Sequence, residues 1–136
     1  MTPGSRGGWA ALAAFTCAFV TAPLPALAHH SFAMFDETRT TTISGVVEEF
    51  QMIQPHSWLQ LVAVDSHGKQ HEWSLEASAP GQLMKGGWQQ TSLRPGDKVT
   101  VSLHPLKDGT NGGELLTVTL PDGHVLSAHK PPSGPQ

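Results

Sequence analysis

The sequence predicts an all-β domain with one short helix, and three observations support this fold class. Residues 40–128 divide into short runs rich in β-branched and apolar residues, separated by the Gly, Pro and Asp residues typical of turns. Residues 69–76 alternate strictly between two faces, as a half-buried strand does. Only residues 77–87 combine the signals for a helix start and a helix stop.

The apolar runs predict six strands. These strands cover residues 40–50, 57–65, 69–76, 98–103, 114–120 and 125–128. Gly45 interrupts the first strand, which is typical of a bend or a bulge. A tight turn, Arg94-Pro95-Gly96-Asp97, leads into the fourth strand, and Asp122-Gly123 indicates a hairpin between the last two.

Alternation along the strands predicts which side chains face the core. The predicted inward set is His71, Trp73 and Leu75 in the third strand, Val99, Val101 and Leu103 in the fourth, and Leu116, Val118 and Leu120 in the fifth.

The predicted helix lies within residues 77–87. Ser78 is the expected N-cap, Pro80 occupies an early helical position, and Gly86-Gly87 ends the helix. A β-β-β-α-β-β order with a bent first strand is typical of the oligonucleotide/oligosaccharide-binding (OB) fold, a small, partly open barrel. We therefore expect an OB-like β-barrel of five to six strands, with another small barrel or an open meander as the alternatives.

Residues 1–28 have the features of a cleavable secretory signal peptide. A basic residue precedes an apolar run, residues 9–20, that is too short to span a bilayer. The small residues of Ala26-x-Ala28 suit a signal peptidase, so cleavage after Ala28 would expose His29. The alternatives are an uncleaved anchor helix and a lipid anchor on Cys17.

Removal of residues 1–28 leaves a chain of single-domain size, periplasmic or secreted. We expect an N-terminal segment at residues 29–39, the barrel at 40–129 and a disordered tail at 130–136. The one cysteine, Cys17, leaves with the signal, so the exported chain would form no disulfide or thiolate metal site. The formal net charge, −3 for the full chain and −4 after the loss of Arg6, argues against nucleic acid and leaves a small molecule, a metal or a protein as the expected partner. No membrane span is expected after cleavage.

Cleavage after Ala28 would also create a copper-binding N-terminus. The free α-amine and the ring nitrogen of His29 together form a bidentate ligand for Cu(II). A third nitrogen could come from His30 or, by preference, from His56, at the start of a strand where a barrel mouth is expected. The other candidates for the third nitrogen are His71, His104, His124 and His129. The alternative is that His29 and His30 lie on a frayed terminus and have no function.

Three tryptophans remain in the exported chain. One interpretation is that Trp58, Trp73 and Trp88 form the core, because each can bury on the order of 150–250 Å². The other is a stacking platform for a sugar, a base or an aromatic ring, with Trp88 projecting from a loop after Gly86-Gly87. The predicted ligand-binding residues are therefore His56, Trp58 and Trp88.

The exported part carries no catalytic signature. It has no cysteine, no Gly-x-Ser-x-Gly elbow and no phosphate-binding loop that ends in Gly-Lys-Ser/Thr. Glu76 and the other carboxylates are predicted to lie on the solvated surface. We expect a protein that is not an enzyme, and a hydrolytic or redox reaction at a histidine-bound metal is the alternative.

Several short motifs are spread over residues 28–129. They are Ala28-His29-His30-Ser31-Phe32, Phe35-Asp36, Pro55-His56-Ser57-Trp58, Glu72-Trp73, Gly87-Trp88, Leu93-Arg94-Pro95-Gly96-Asp97 and Leu120-Pro121-Asp122-Gly123. Together they resemble an uncharacterised family of small exported bacterial proteins, a domain of unknown function. The resemblance implies a bacterial, periplasmic, single-domain protein and no particular activity. Before the helix, where family members often have Gly-Gly-Ser-Pro-Asn, this chain has Ala77-Ser78-Ala79-Pro80-Gly81.

Sequence and resemblance together favour a periplasmic, non-enzymatic binding module of unknown ligand. The alternative function is copper handling through His29, with His30 or His56.

Overall fold

The computed structural model describes residues 34–128, and the regular secondary structure within that range is mostly β-strand. The strands are β1 Thr41–Gln51, β2 Ser57–Val64, β3 Gln70–Ala77, β4 Lys98–Pro105, β5 Gly112–Thr119 and β6 Val125–Ser127, and the helix is α1 Pro80–Lys85. Each strand lies within two residues of its predicted position. The predicted fold class, all-β with one short helix, is confirmed.

The strands form one sheet that closes on itself. Antiparallel pairing gives the order β3-β2-β1-β4-β5-β6, and a parallel pairing joins β3 to β5. Five strands therefore make a closed barrel, and β6 extends it beyond β5. This arrangement fits the OB-like barrel, and the open meander is wrong because the sheet has no open edge between β3 and β5.

The irregularity in β1 lies at a different position from the predicted one. The register between β1 and β2 shifts between Val47 and Glu49, whereas Gly45 pairs regularly with both neighbouring strands. Gly45 is required for a different reason, since a Cβ atom there would lie 2.9 Å from Leu61 Cγ and closer still to the Val62 carbonyl. The glycine therefore allows a close approach of β2, and the bulge follows it.

The predicted inward set of β5 is wrong at Leu116, because a second bulge changes which residues of β5 face the core. Its register with β4 shifts between Ser102 and Leu103, so that Leu115 pairs with Leu103. Leu115 is consequently buried, whereas Leu116 is only half-buried. Val118 faces the core as predicted.

The helix begins and ends by backbone geometry rather than through Ser78. Ala79 is the N-cap, without a side-chain hydrogen bond, and the Ser78 hydroxyl instead donates to the Ala128 carbonyl at 2.8 Å. At the other end, Gly87 has a φ of +89° and donates to the Met84 carbonyl, while the Trp88 N–H donates to Leu83. These two hydrogen bonds form a Schellman motif, which ends the helix and directs the following residues back against its last turn.

The core fills the barrel and is mostly aliphatic. Its fully buried side chains include Leu59, Leu61, Leu75, Val101, Leu103 and Leu115; α1 adds Leu83, and the loop after α1 adds Trp88. The predicted third-strand face is confirmed, because Leu75 is buried and Trp73 packs against the core from a half-buried position.

A pair of glycine substitutions tests the close approach at Gly45. Gly45→Ala should lower the free energy of unfolding by about 1–3 kcal/mol, because the added methyl group overpacks the β1–β2 contact. Gly81→Ala, in α1 and with open space around it, should raise that free energy by about 0.5–1 kcal/mol. Urea denaturation measures both, and a Gly45→Ala protein as stable as the parent would contradict this explanation.

Candidate functional site

The parallel pairing of β3 and β5 creates space on the outside of the barrel. We call this β3–β5 contact the seam. Along it, Ser74 pairs with Gly112 and Glu76 pairs with Glu114. Gly112 has no room for a side chain, because a Cβ atom there would lie 2.7 Å from Leu106 Cδ1. Gly112 therefore leaves the outer surface of the seam without a side chain at its position on β5.

Neighbouring segments convert this surface into a cleft of about 230 Å³. The chain before β1 covers it, since Phe35 forms a bridge with Leu106 and the Lys107 N–H donates to the Met34 carbonyl at 3.0 Å. Phe35 is only 5% exposed. The residues around the cleft are Met34, Phe35, Trp58, Ser74, Glu76, Leu106, Thr110, Asn111, Gly112 and Gly113.

Trp58 and Glu76 provide the two distinctive side chains of the cleft. They are register partners on β2 and β3, so their side chains leave the same, outer face of the sheet. Trp58 is half-buried, and the Glu76 side chain is 12% exposed. Glu76 Oε1 forms an ion pair with Nδ1 of His56, just before β2. Because an ionised carboxylate only accepts hydrogen bonds, Nδ1 carries the hydrogen.

The structure thus brings two of the three predicted ligand-binding residues together. Trp58 lines the cleft, and His56 forms an ion pair with Glu76, the carboxylate of the cleft. Sequence reasoning missed Glu76, which was predicted to be solvated and is mostly buried. Its cleft neighbours come from β2 and from the segment before β1, so no local signal identifies it.

Trp88 is the third predicted ligand-binding residue, and its predicted exposure is wrong. It is 1% exposed, its ring centroid lies 5.3 Å from that of Phe50, and its Nε1 donates to the Ser127 carbonyl at 2.7 Å. The Schellman motif explains the error, because Gly87 in its left-handed conformation directs Trp88 back against Leu83. Trp88 therefore belongs to the core and offers no stacking surface.

A second cavity, of about 410 Å³, lies at the end of the barrel away from α1. Trp73 and His71 line it, and His71 Nε2 lies 2.8 Å from Asp65 Oδ2. This hydrogen bond, followed by those from the Lys69 and His67 backbone N–H groups, lowers the pKa of Asp65. This cavity lies at the opposite end of β2 from His56.

The histidines do not converge on one point in the part of the chain that the structure describes. His104 Nδ1 donates to the Arg39 carbonyl at 2.7 Å, and His67 and His124 lie in exposed turns. Among residues 34–128, no three His, Cys, Asp or Glu side chains are placed to hold a metal ion. His29, His30 and His129 lie outside the described residues.

The fold and the cleft define a small, closed, OB-like barrel with an aromatic, acidic cleft on its outer surface. The chain belongs to the DUF6152 family, a family of unknown function, whose model matches residues 18–115. The predicted membership of a domain-of-unknown-function family is thereby confirmed. No curated protein and no solved structure matches the chain. Between residues 34 and 128, no helix has the length and apolar character needed to cross a membrane.

Two tryptophan substitutions distinguish the core from the cleft. Trp88→Ala should lower the free energy of unfolding by about 3–5 kcal/mol, because it removes a fully buried ring and leaves a cavity. Trp58→Ala should cost about 1–2 kcal/mol, since its side chain is already partly exposed. Urea denaturation of both variants measures the difference, and equal losses would contradict the assignment of Trp88 to the core.

Proposed function

We propose that this protein is an exported, non-enzymatic binding module whose ligand occupies the cleft beside Trp58 and Glu76. The observation that carries the proposal is the convergence of a half-buried indole and a mostly buried carboxylate in one concave site. Ligand sites commonly combine apolar walls with a few convergent polar groups in this way. A volume of about 230 Å³ suits a ligand smaller than a drug-sized molecule, whose pockets measure about 300–1,000 Å³.

Binding is favoured over catalysis because hydroxyl groups around the cleft already form hydrogen bonds within the fold. Ser74 Oγ accepts a hydrogen bond from Gln60 Nε2 at 3.1 Å, and Thr110 Oγ1 donates to Asp108 at 2.7 Å. A nucleophile needs an adjacent base to activate it. Ser74 Oγ is bound by an amide, and hydrogen bonds from the Thr110 backbone N–H and hydroxyl lower the pKa of Asp108, which makes that carboxylate a weaker base.

Export is part of the proposal and rests on the sequence. A basic residue, a short apolar run and Ala26-x-Ala28 support removal of residues 1–28 and a periplasmic location. On this basis the mature chain would comprise the segment 29–39, the barrel 40–129 and the tail 130–136.

Nuclear magnetic resonance of the exported protein tests the cleft. The probes are butylammonium, 1-butanol and butyrate, three small molecules that share a chain length and differ in charge. At least one of them should shift the indole N–H signal of Trp58 and the amide signals of Gly112 and Gly113, and should leave that of core Trp88 in place.

Two variants provide a matched control for this experiment. Ser74→Leu should abolish the shifts by filling the cleft, whereas Gln60→Leu breaks the same Gln60–Ser74 hydrogen bond and should preserve them, because residue 60 lies outside the cleft. Shifts centred on Trp73, or none with any probe, would refute the proposed site.

Copper handling is the second candidate function, and the position of Met34 favours it. Met34 lies at the cleft whose carboxylate is bound by His56. His29 precedes Met34 by five residues, which span at most about 18 Å when extended. The α-amine and ring of His29, with His30 or His56, could therefore meet at a copper ion, and Glu76 would orient His56 as second-shell carboxylates do.

Intact mass and a Cu(II) titration test this candidate on the exported protein. The expected results are a mass that begins at His29 and a one-to-one copper site, which His29→Ala removes and His124→Ala preserves, because His124 lies in an exposed turn. A chain that begins elsewhere, or weak binding that is insensitive to His29→Ala, would exclude the copper site and leave the cleft proposal untouched.

A further inference from the structure

We infer that the cleft selects a small organic cation, such as a primary ammonium group on a short apolar chain. The inference names the ligand class and rests on the binding function proposed above. Three properties of the cleft carry it: the sign of its charge, the aromatic ring beside that charge, and its size.

The charge of the cleft is negative. Glu76 is the only Asp, Glu, Lys or Arg among the residues that line it within the described part of the chain. Water screens a mostly buried charge poorly, so this carboxylate opposes an anionic ligand and attracts a cationic one.

The ion pair with His56 leaves Glu76 able to bind a ligand. His56 holds Oε1, so a ligand ammonium would be received by Oε2. With Nδ1 as the donor to Oε1, His56 fixes the position of the carboxylate. Oε2 of the oriented carboxylate favours a charge-assisted hydrogen bond to an N–H donor.

The Trp58 ring stands beside this carboxylate on the same face of the sheet. An indole face attracts a cation through its quadrupole, and the attraction is greatest where water is partly excluded, as it is here. Phe35 and Leu106 give the cleft an apolar wall for the remainder of the ligand. A cation with an apolar substituent matches all of these groups, whereas an inorganic cation would leave the apolar wall without a partner.

The size of the cleft limits the ligand to a few heavy atoms. A volume of about 230 Å³ corresponds to roughly seven to eight water molecules at ~30 Å³ each. A four-carbon ammonium ion fits within that volume.

The test compares the affinities of butylammonium, 1-butanol and butyrate by the shift of the Trp58 indole signal. We expect butylammonium to bind on the order of tenfold more tightly than 1-butanol, and butyrate to bind more weakly than either. Glu76→Gln should remove the advantage of butylammonium and leave 1-butanol unchanged. Glu72→Gln, on the same strand but exposed and outside the cleft, should change neither affinity.

A measurement on the unmodified protein tests the charge pair even if the Glu76→Gln variant does not fold. Added NaCl should weaken the binding of butylammonium and spare that of 1-butanol, because salt screens a charge pair and not an apolar contact. Equal affinities for the two, or butylammonium binding that is insensitive to salt and to Glu76→Gln, would overturn the cationic ligand class while the cleft remained a binding site. If none of the three molecules moved the Trp58 signal, both proposals would fail.

Discussion

The short parallel pairing of β3 with β5 is the constraint on which the rest of the structure depends. Without it, the same strands would form an open sheet, and the core side chains Leu75, Leu103 and Leu115 would lose their common interior. Glycine accommodates the pairing, because a Cβ atom at residue 112 would lie 3.1 Å from the Ser74 carbonyl oxygen on β3 and 2.7 Å from Leu106 Cδ1. Closure of the barrel therefore places a residue without a side chain on the outer surface of the seam.

The same requirement determines where a ligand could bind. The outer surface is concave at Gly112, and its walls come from Trp58, Glu76 and the segment around Phe35. Burial of a carboxylate is costly unless it is paired, and His56 supplies that pairing for Glu76. The cleft is thus a consequence of closure, and its acidic and aromatic character comes from the two strands that flank the seam.

Features set by a few consecutive residues could be predicted from the sequence. The strands, the turn before β4 and the inward face of β3 follow from alternation and turn chemistry. Features set by contacts between distant residues could not. The bulge near Leu116 depends on the pairing of β5 with β4, and the burial of Glu76 depends on β2 and on the segment before β1. Trp88 is an intermediate case, since Gly86-Gly87 is compatible with a free loop and with a Schellman motif, and only the available core space distinguishes them.

Closure of the barrel at the seam is the central claim, and nuclear Overhauser effects in the free protein test it most directly. The structure predicts backbone contacts between Ser74 and Gly112 and between Glu76 and Glu114, together with slow hydrogen exchange of the Ser74 amide, which donates to the Asn111 carbonyl at 3.2 Å. Absence of those contacts, with rapid exchange at Ser74, would show an open sheet, and an open sheet would have no cleft beside Trp58.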